Sequence, residues 1–303
     1  MKLSFISIIV PVFNDPQGLI NSINSLINQE YPSNSYEIIV VDNKSIDNTY
    51  KIIKYFNVIY PKLIKIVSEN NIQSPASARN KGIRKSKGEV LAFIDSDMTV
   101  EKKWLRKINE SIIKNNYNYI GYRVNMTFKT KNIFSLYNII TGFPTEKYLT
   151  LEHYSPTGCL IAKRFIFDTV GFFDRRLISG EDNEFGKRVY AYGYKQFYDP
   201  NISINHPADI SLKKSLKRWF RSGRGSFQKY LFYPSIFSHL NLKILNPYNY
   251  FPPKPSKFIT IVKDSYIWQD ISMTTKLCLY FVHWMVKIIR MAGYIYEKSR
   301  RKT

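Results

Sequence analysis

Two carboxylates one residue apart, Asp95 and Asp97, close the apolar run Val90-Leu91-Ala92-Phe93-Ile94. A buried strand that ends in Asp-x-Asp delivers both acids to the carboxyl edge of a sheet, where open parallel sheets bind their ligands. Hard oxygen donors held there suit Mg2+ or Mn2+, often shared with a diphosphate. The same residues also suit a plain strand-to-turn junction, since Asp and Ser favour turns. Two more apolar runs end in polar tips, Pro11-Val12-Phe13-Asn14-Asp15 and Asp42-Asn43-Lys44-Ser45. Side by side with Asp95-Ser96-Asp97, they would line one crevice. Asp42 can accept the N–H of a nucleobase and Phe13 can flank its ring. An Asx-rich turn with a helix cap accounts for Asp42–Thr49 equally well.

Three further groups carry possible chemistry. In Ala76-Ser77-Ala78-Arg79-Asn80, small residues at a helix start would let Arg79 meet a phosphate with its planar fork. The alternative is an ordinary surface arginine. Glu181 and Asp182 follow Gly180 at the start of another helix, where the dipole favours acids. They can also supply a general base and a residue that holds an acceptor, with Glu184 on a different face. His206 follows a short strand, which makes it either filler or a third metal ligand beside Asp95 and Asp97.

The elements that must position these residues alternate. Strands are expected over 7–13, 37–41, 63–67 and 89–94. Between them, Leu19, Ile20, Ile23, Leu26 and Ile27 fall at helical spacing, as do Ile52, Ile53 and Phe56, and residues 76–86 suit a third helix. This rhythm predicts a doubly wound, mostly parallel α/β sheet. After residue 100 the pattern loosens into a mixed half. A helix is expected near 104–113, strands at 117–124 and 158–162, and a helix over 182–192. Residues 201–205 read as an edge strand, and the aromatic stretch 132–151 as a mobile loop over a site. The prolines of 246–255 suggest a linker.

The chain of 303 residues carries a net charge of +22, with 44% hydrophobic and 16% aromatic residues. Residues 207–303 hold 18 Lys/Arg against 4 Asp/Glu, a local excess of +14. That points to an anionic partner. A nucleic-acid binder would explain the charge but not Asp95, Asp97 and Asp182, since acids repel phosphate backbones. Cys159 and Cys278 form no metal-type pair and suit a reducing compartment. The amino terminus is too short and polar for a signal peptide. No apolar run is long enough for a conventional spanning helix.

Lys276, His283, Lys287, Arg290 and Glu297 are spaced to fall on one stripe of an otherwise apolar helix over 276–297. This predicts a helix in a membrane interface, basic residues toward anionic head groups, helped by the tail Lys298–Lys302. Packing on the catalytic domain, or against a second copy, is the rival arrangement.

Together, Val10-Pro11-Val12-Phe13-Asn14, Val40–Thr49, Ala78-Arg79-Asn80-Lys81-Gly82, Phe93–Asp97 and Gly180-Glu181-Asp182 resemble the family 2 glycosyltransferases. The resemblance implies a GT-A fold: a Rossmann-like nucleotide-sugar half over about 1–100, an acceptor half over about 101–230, and a helical extension over 231–303. It implies that Pro11, Phe13 and Asp42, in tips with Asn14 and Asn43, bind the base. Arg79 and Asn80 would lie near the diphosphate, and Asp95, next to Ser96, near ribose and phosphates. Asp97 and His206 would ligate a divalent cation. Asp182 would be the base of an inverting transfer, and Glu181 would hold the acceptor.

Processive members of the family carry Gln-x-x-Arg-Trp, whereas Ser215 precedes Arg218-Trp219 here. That favours single addition. Arg218, Trp219, Arg221 and Arg224, with Gly223 and Gly225, suggest an acceptor-side closing loop or a basic solvated helix. The implied partners are a nucleotide sugar, a UDP-sugar first, and a saccharide or lipid-linked acceptor. No nucleic acid is implied, and oligomeric state is left open. The expected place is the cytoplasmic face of the cell membrane, peripherally. Nucleotidyl transfer on the same fold is the competing chemistry, and Gly180-Glu181-Asp182 argues against it.

Overall fold

The computed structural model describes residues 3–128, 130–208 and 211–301, so Lys302 of the basic tail and Met1-Lys2 lie outside them. In chain order the first elements are β1 (Ile6–Val12), α1 (Pro16–Ile27), β2 (Tyr36–Asp42), α2 (Thr49–Ile59), β3 (Ile64–Ser68), α3 (Pro75–Lys85) and β4 (Val90–Phe93). Strands β1, β2, β3 and β4 pair in parallel, with Val12 opposite Asp42 and Ile9 opposite Phe93. Period-two burial explains the layering. Ile6, Ile8, Val10 and Val12 enter one core with Leu19, Ile23, Ile53 and Trp104. Ile9 enters the other with Ile83, Phe167 and Phe185. Helix starts are set by side chains: Asp15 accepts the Gly18 N–H before Pro16, and Ser74 accepts the Ser77 N–H before Pro75.

The mixed half follows as β5 (Thr99–Val100), α4 (Trp104–Lys114), β6 (Tyr119–Thr127), α5 (Ile133–Thr141), α6 (Thr145–Glu152), β7 (Leu160–Lys163), α7 (Arg164–Val170), α8 (Glu181–Ala191) and β8 (Phe197–Pro207). The eight strands run β3-β2-β1-β4-β7-β6-β8-β5. Pairs β4–β7, β6–β7 and β5–β8 are antiparallel. The order reverses at β1, and the tips of β1, β2 and β4 flank that switch point.

Two expectations need correction here. Residues 201–205 are not an edge strand, because the two-residue β5 pairs outside β8, with Thr99 opposite Asn205. Most of residues 132–151 is helical, not loop. Asn132 accepts the Phe134 and Ser135 N–H groups, and Ser135 Oγ accepts in return from the Asn132 N–H, a capping box that starts α5.

The chain groups into two compact units interleaved along the sequence. One comprises 1–125, 144–175 and 181–206, the other 126–143, 176–180 and 207–303. The second is helical, with α9 (Leu212–Phe232), α10 (Pro234–Phe237), α11 (Pro255–Val262), α12 (Tyr266–Asp270) and α13 (Met273–Arg300) around α5. Gly223 and Gly225 sit inside α9 and form no closing loop. A Cβ on Gly223 would lie 1.8 Å from Arg290 O, and one on Gly293 would lie 2.1 Å from Phe220 O. Glycine is needed because the two helix backbones touch.

The same packing corrects the carboxy-terminal stripe. His283 Nδ1 meets Tyr137 Oη at 2.8 Å, Lys287 donates to the Tyr248 and Phe251 carbonyls, and Glu297 is buried. These polar groups are spent within the unit and not presented to head groups. Residues 246–255 are no loose linker either, since their carbonyls also receive Trp284 Nε1 at 2.8 Å. Among the described residues, no helix is long and apolar enough to cross a membrane.

Candidate active site

Every candidate of the crevice lies in the first unit. The β1 tip turns at Asn14, whose φ of +50° is tolerated by Asn. Asn14 N–H donates to Ser45 Oγ at 3.0 Å, and Asn14 Oδ1 accepts the Ile46 N–H at 2.9 Å. The β1 and β2 tips are thereby stitched together. Asn43 N–H continues the pairing to Val12 O at 2.9 Å. Asp42 and Asn43 are buried, while the Phe13 ring next to Pro11 is 46% exposed. An exposed aromatic ring on one tip, with a buried carboxylate and amide on the tip bonded to it, can take a planar heterocycle.

The β4 tip is tied to two other elements. Ser96 Oγ donates to Asp15 Oδ2 at 2.8 Å. His206 Nε2, near the end of β8, lies 3.7 Å from Asp97 Oδ1. Partial desolvation raises the Asp97 pKa above the ordinary carboxylate value; nearby Asp95 and Asp15 push the same way, and His206 opposes them. A concentration of negative charge that no cationic side chain fully cancels is the electrostatic mark of a cation site. Carboxylates plus imidazole suit Mn2+ or Mg2+. Among the described residues no three His, Cys, Asp or Glu are already gathered around one point. Oxygens of a diphosphate would therefore have to complete such a shell.

Arg79 is neither a surface residue nor a group held open for phosphate. It is 7% exposed, and its guanidinium donates to Asp95 Oδ1 and to Glu181 Oε1, both at 2.8 Å. Burial alone would lower its pKa, but Asp95 and Glu181 outweigh that and hold it charged. Arg79 is a clamp between the β4 tip and the α8 start. The Asn80 amide donates to Phe173 O and accepts from Phe173 N–H, so it locks α3 to the following loop.

At the start of α8, Gly180 adopts a φ of +85°, which turns the chain into the helix. Glu181, Asp182 and Glu184 make an acidic first turn. Glu181 is buried against Arg79, and Asp182 is only partly buried. Asp182 Oδ1 accepts its neighbour's N–H, from Asn183, at 2.8 Å, and its charge is felt by Arg79, Tyr119 and Tyr154. Glu184 is fully buried and paired with Arg188 at 2.7 Å, so it makes no acceptor contact.

The acceptor-side arginines expected from the Arg218-Trp219 region are structural. Arg218 donates to Asn138 Oδ1 at 2.6 Å, Trp219 is buried, and Arg224 pairs with Glu297 at 2.8 Å. Arg221 alone of these is exposed. Two residues escaped the sequence reading. Asp15, quoted only as part of a tip, caps α1 and holds Ser96. Gly158 leaves room for Asp95, since a Cβ there would stand 2.9 Å from Asp95 Oδ2. A cap motif before Pro16 signals the first. Nothing local signals the second.

Comparison with known proteins gives the family and the fold. The model of Glycosyl transferase family 2 matches residues 7–171. Glycosyltransferase AglE of Haloferax volcanii is 31% identical over 76% of this chain and 75% of its own. A Methanococcus voltae enzyme is 25% identical over 80% of this chain and 82% of its own. Its name is dolichyl N-acetyl-alpha-D-glucosaminyl phosphate 3-beta-D-2,3-diacetamido-2,3-dideoxy-beta-D-glucuronosyltransferase. In fold, the chain is similar to the Pyrobaculum calidifontis mannosyltransferase PcManGT in complex with GDP-Man and Mn2+. The TM-score is 0.66 at 16% identity, covering 98% of this chain and 87% of that one. It is also similar to Staphylococcus aureus TarS 1-349 in complex with UDP-GlcNAc. There the TM-score is 0.57 at 18% identity, over 98% and 91%.

Proposed function

This chain belongs to glycosyl transferase family 2 and is a glycosyltransferase of GT-A fold; from that premise we propose that it transfers a sugar from a nucleotide-diphosphate sugar to a hydroxyl of a saccharide or lipid-linked saccharide, one residue at a time, with inversion. One observation carries the reading. Arg79 binds Asp95 and Glu181 with one guanidinium, which brings the strand tip of the donor crevice beside the helix start that bears Asp182. Donor and base must converge in this way for a direct displacement.

In this reading Phe13 flanks the base, Asp42 accepts its N–H, and the stitched tips of Pro11–Asn14 and Asn43 fix its edge. Asp182 takes the proton of the acceptor hydroxyl as the new bond to the anomeric carbon forms. The bond to the diphosphate oxygen breaks on the opposite face, and that oxygen leaves with the electron pair. Glu181, held by Arg79, helps to position the acceptor. Asp97 and His206 would hold Mn2+ or Mg2+ together with oxygens of the diphosphate, and Asp95 would face those phosphates. When bound, the cation neutralises charge that develops on the leaving diphosphate. A carboxylate and an imidazole set side by side, with Asp97 raised in pKa, support that donor set.

UDP is the first choice of nucleotide, and the TarS structure with UDP-GlcNAc supports it. The PcManGT structure with GDP-Man makes GDP the direct competitor. The name of the Methanococcus voltae relative supports a dolichyl-phosphate-linked saccharide as acceptor, and the inner face of the cell membrane is the place we propose for it. The test is a panel of nucleotide sugars with Mn2+, read as free nucleotide released. Release from one donor above all others, increased by a lipid-linked saccharide, is expected. Release at the buffer rate from every donor contradicts the proposal.

A further inference from the structure

We propose that the second unit docks on an anionic lipid surface through the outer face of α13, flanked by the lysines of α11. The face shares no residue with the transfer site, so it can fail while that chemistry stands, and the reverse. Met273, Leu277 and Phe281 follow one another at steps of four and are all exposed, a helical stripe of roughly 12 Å on the outer side of α13. The stripe contains no charged residue. Leu277 is 54% exposed and Phe281 57% exposed, although α9, α5 and α11 cover the opposite side of the same helix. Large apolar side chains left out in series are unusual on a surface that meets only water.

The neighbouring chain extends the apolar surface. Tyr248 and Phe251 are exposed beside Lys287, which bonds to their carbonyls, and Ile259 and Ile261 are exposed on α11. Charge identifies the partner. Between residues 243 and 290 there are seven Lys/Arg against two Asp. Lys254, Lys257 and Lys263 are exposed. Lys257 lies close enough to Lys287 to depress its pKa further, after desolvation has done most of it. Exposed lysines in excess of acids favour an external anion. A second copy would bring the same positive charge, and a nucleic acid would leave the aliphatic stripe in water. An interface of anionic head groups over hydrocarbon satisfies both halves of the surface. Among the described residues no helix is long and apolar enough to cross a membrane, and the proposed contact runs along the surface.

Cys278 lies beside the stripe and is exposed, whereas Cys159 is buried, so one thiol dye reads this face alone. The full chain, labelled at Cys278, is mixed with vesicles of phosphatidylcholine containing about a quarter phosphatidylglycerol, and with pure phosphatidylcholine. Co-flotation with the anionic vesicles and a blue shift of the dye are expected, both weakened by salt. The double variant Leu277→Glu/Phe281→Glu should bind at least about tenfold more weakly while keeping its melting temperature and its donor turnover without vesicles. Equal flotation of the variant, or equal binding to both vesicle types, overturns the proposal. So does a dimer in sedimentation that the variant dissociates, because the face would then be an interface between copies.

Discussion

Two sets of acids gripped by arginine, one at the crevice and one in the helical unit, are built oppositely. At the crevice, Arg79 holds Asp95 and Glu181, yet Asp97 and Asp182 beside them keep partial access to solvent, and the Asp97 pKa is raised. In the helical unit, Glu297 is buried and receives Arg224, Gln228 and Arg301 at 2.8, 2.7 and 3.1 Å. Burial alone would raise its pKa, but those hydrogen bonds outweigh it and leave the net shift downward. Glu297 is saturated and serves stability. At the crevice the raised pKa of Asp97, driven by desolvation with Asp95 and Asp15 beside it, leaves capacity for a cation.

That contrast predicts how the two sets respond to substitution. Asp182→Asn should reduce transfer by about a thousandfold or more with an unchanged melting temperature, since a general base contributes on that scale; a parallel loss of stability would place Asp182 with Glu297. Arg79→Met should cost about 3 kcal/mol of unfolding free energy and abolish transfer, because it strands Glu181 as a buried charge. Chemical denaturation measures this, and a loss below about 1 kcal/mol would show that the clamp is not structural. Gly223→Ala should cost about 2 kcal/mol by forcing apart two backbones.

Glu297→Gln should cost about 1 kcal/mol near neutral pH. Its sign with pH is fixed. The folded pKa lies below the ordinary value of 4.5, so the stabilisation is present above that value and is lost as the pH falls through the folded pKa. The variant and the parent should therefore converge in stability on acidification, as thermal melts across that window would show.

Much of the fold was legible because its signals are local. The β-branched runs ending in Asp and the helical spacing of Ile52, Ile53 and Phe56 need no distant partner to be read. The elements misjudged depend on distant ones. Thr99-Val100 is two residues long and exists as a strand only because β8 accepts it. The glycines of α9 read as flexible when the backbone of α13 cannot be seen. The same holds in the site. Asp95, Asp97 and Glu181 could be chosen by residue type, but their clamp could not. Arg79 and Glu181 are 102 residues apart, and an arginine at a helix start gives no sign of which charge it will meet.

The most direct test of the account is transfer by purified Asp182→Asn set beside its binding of the nucleotide sugar, measured by calorimetry on the same preparation. The account predicts donor affinity within about threefold of the parent and transfer reduced by about a thousandfold. Transfer near the parental rate with intact donor binding would contradict it.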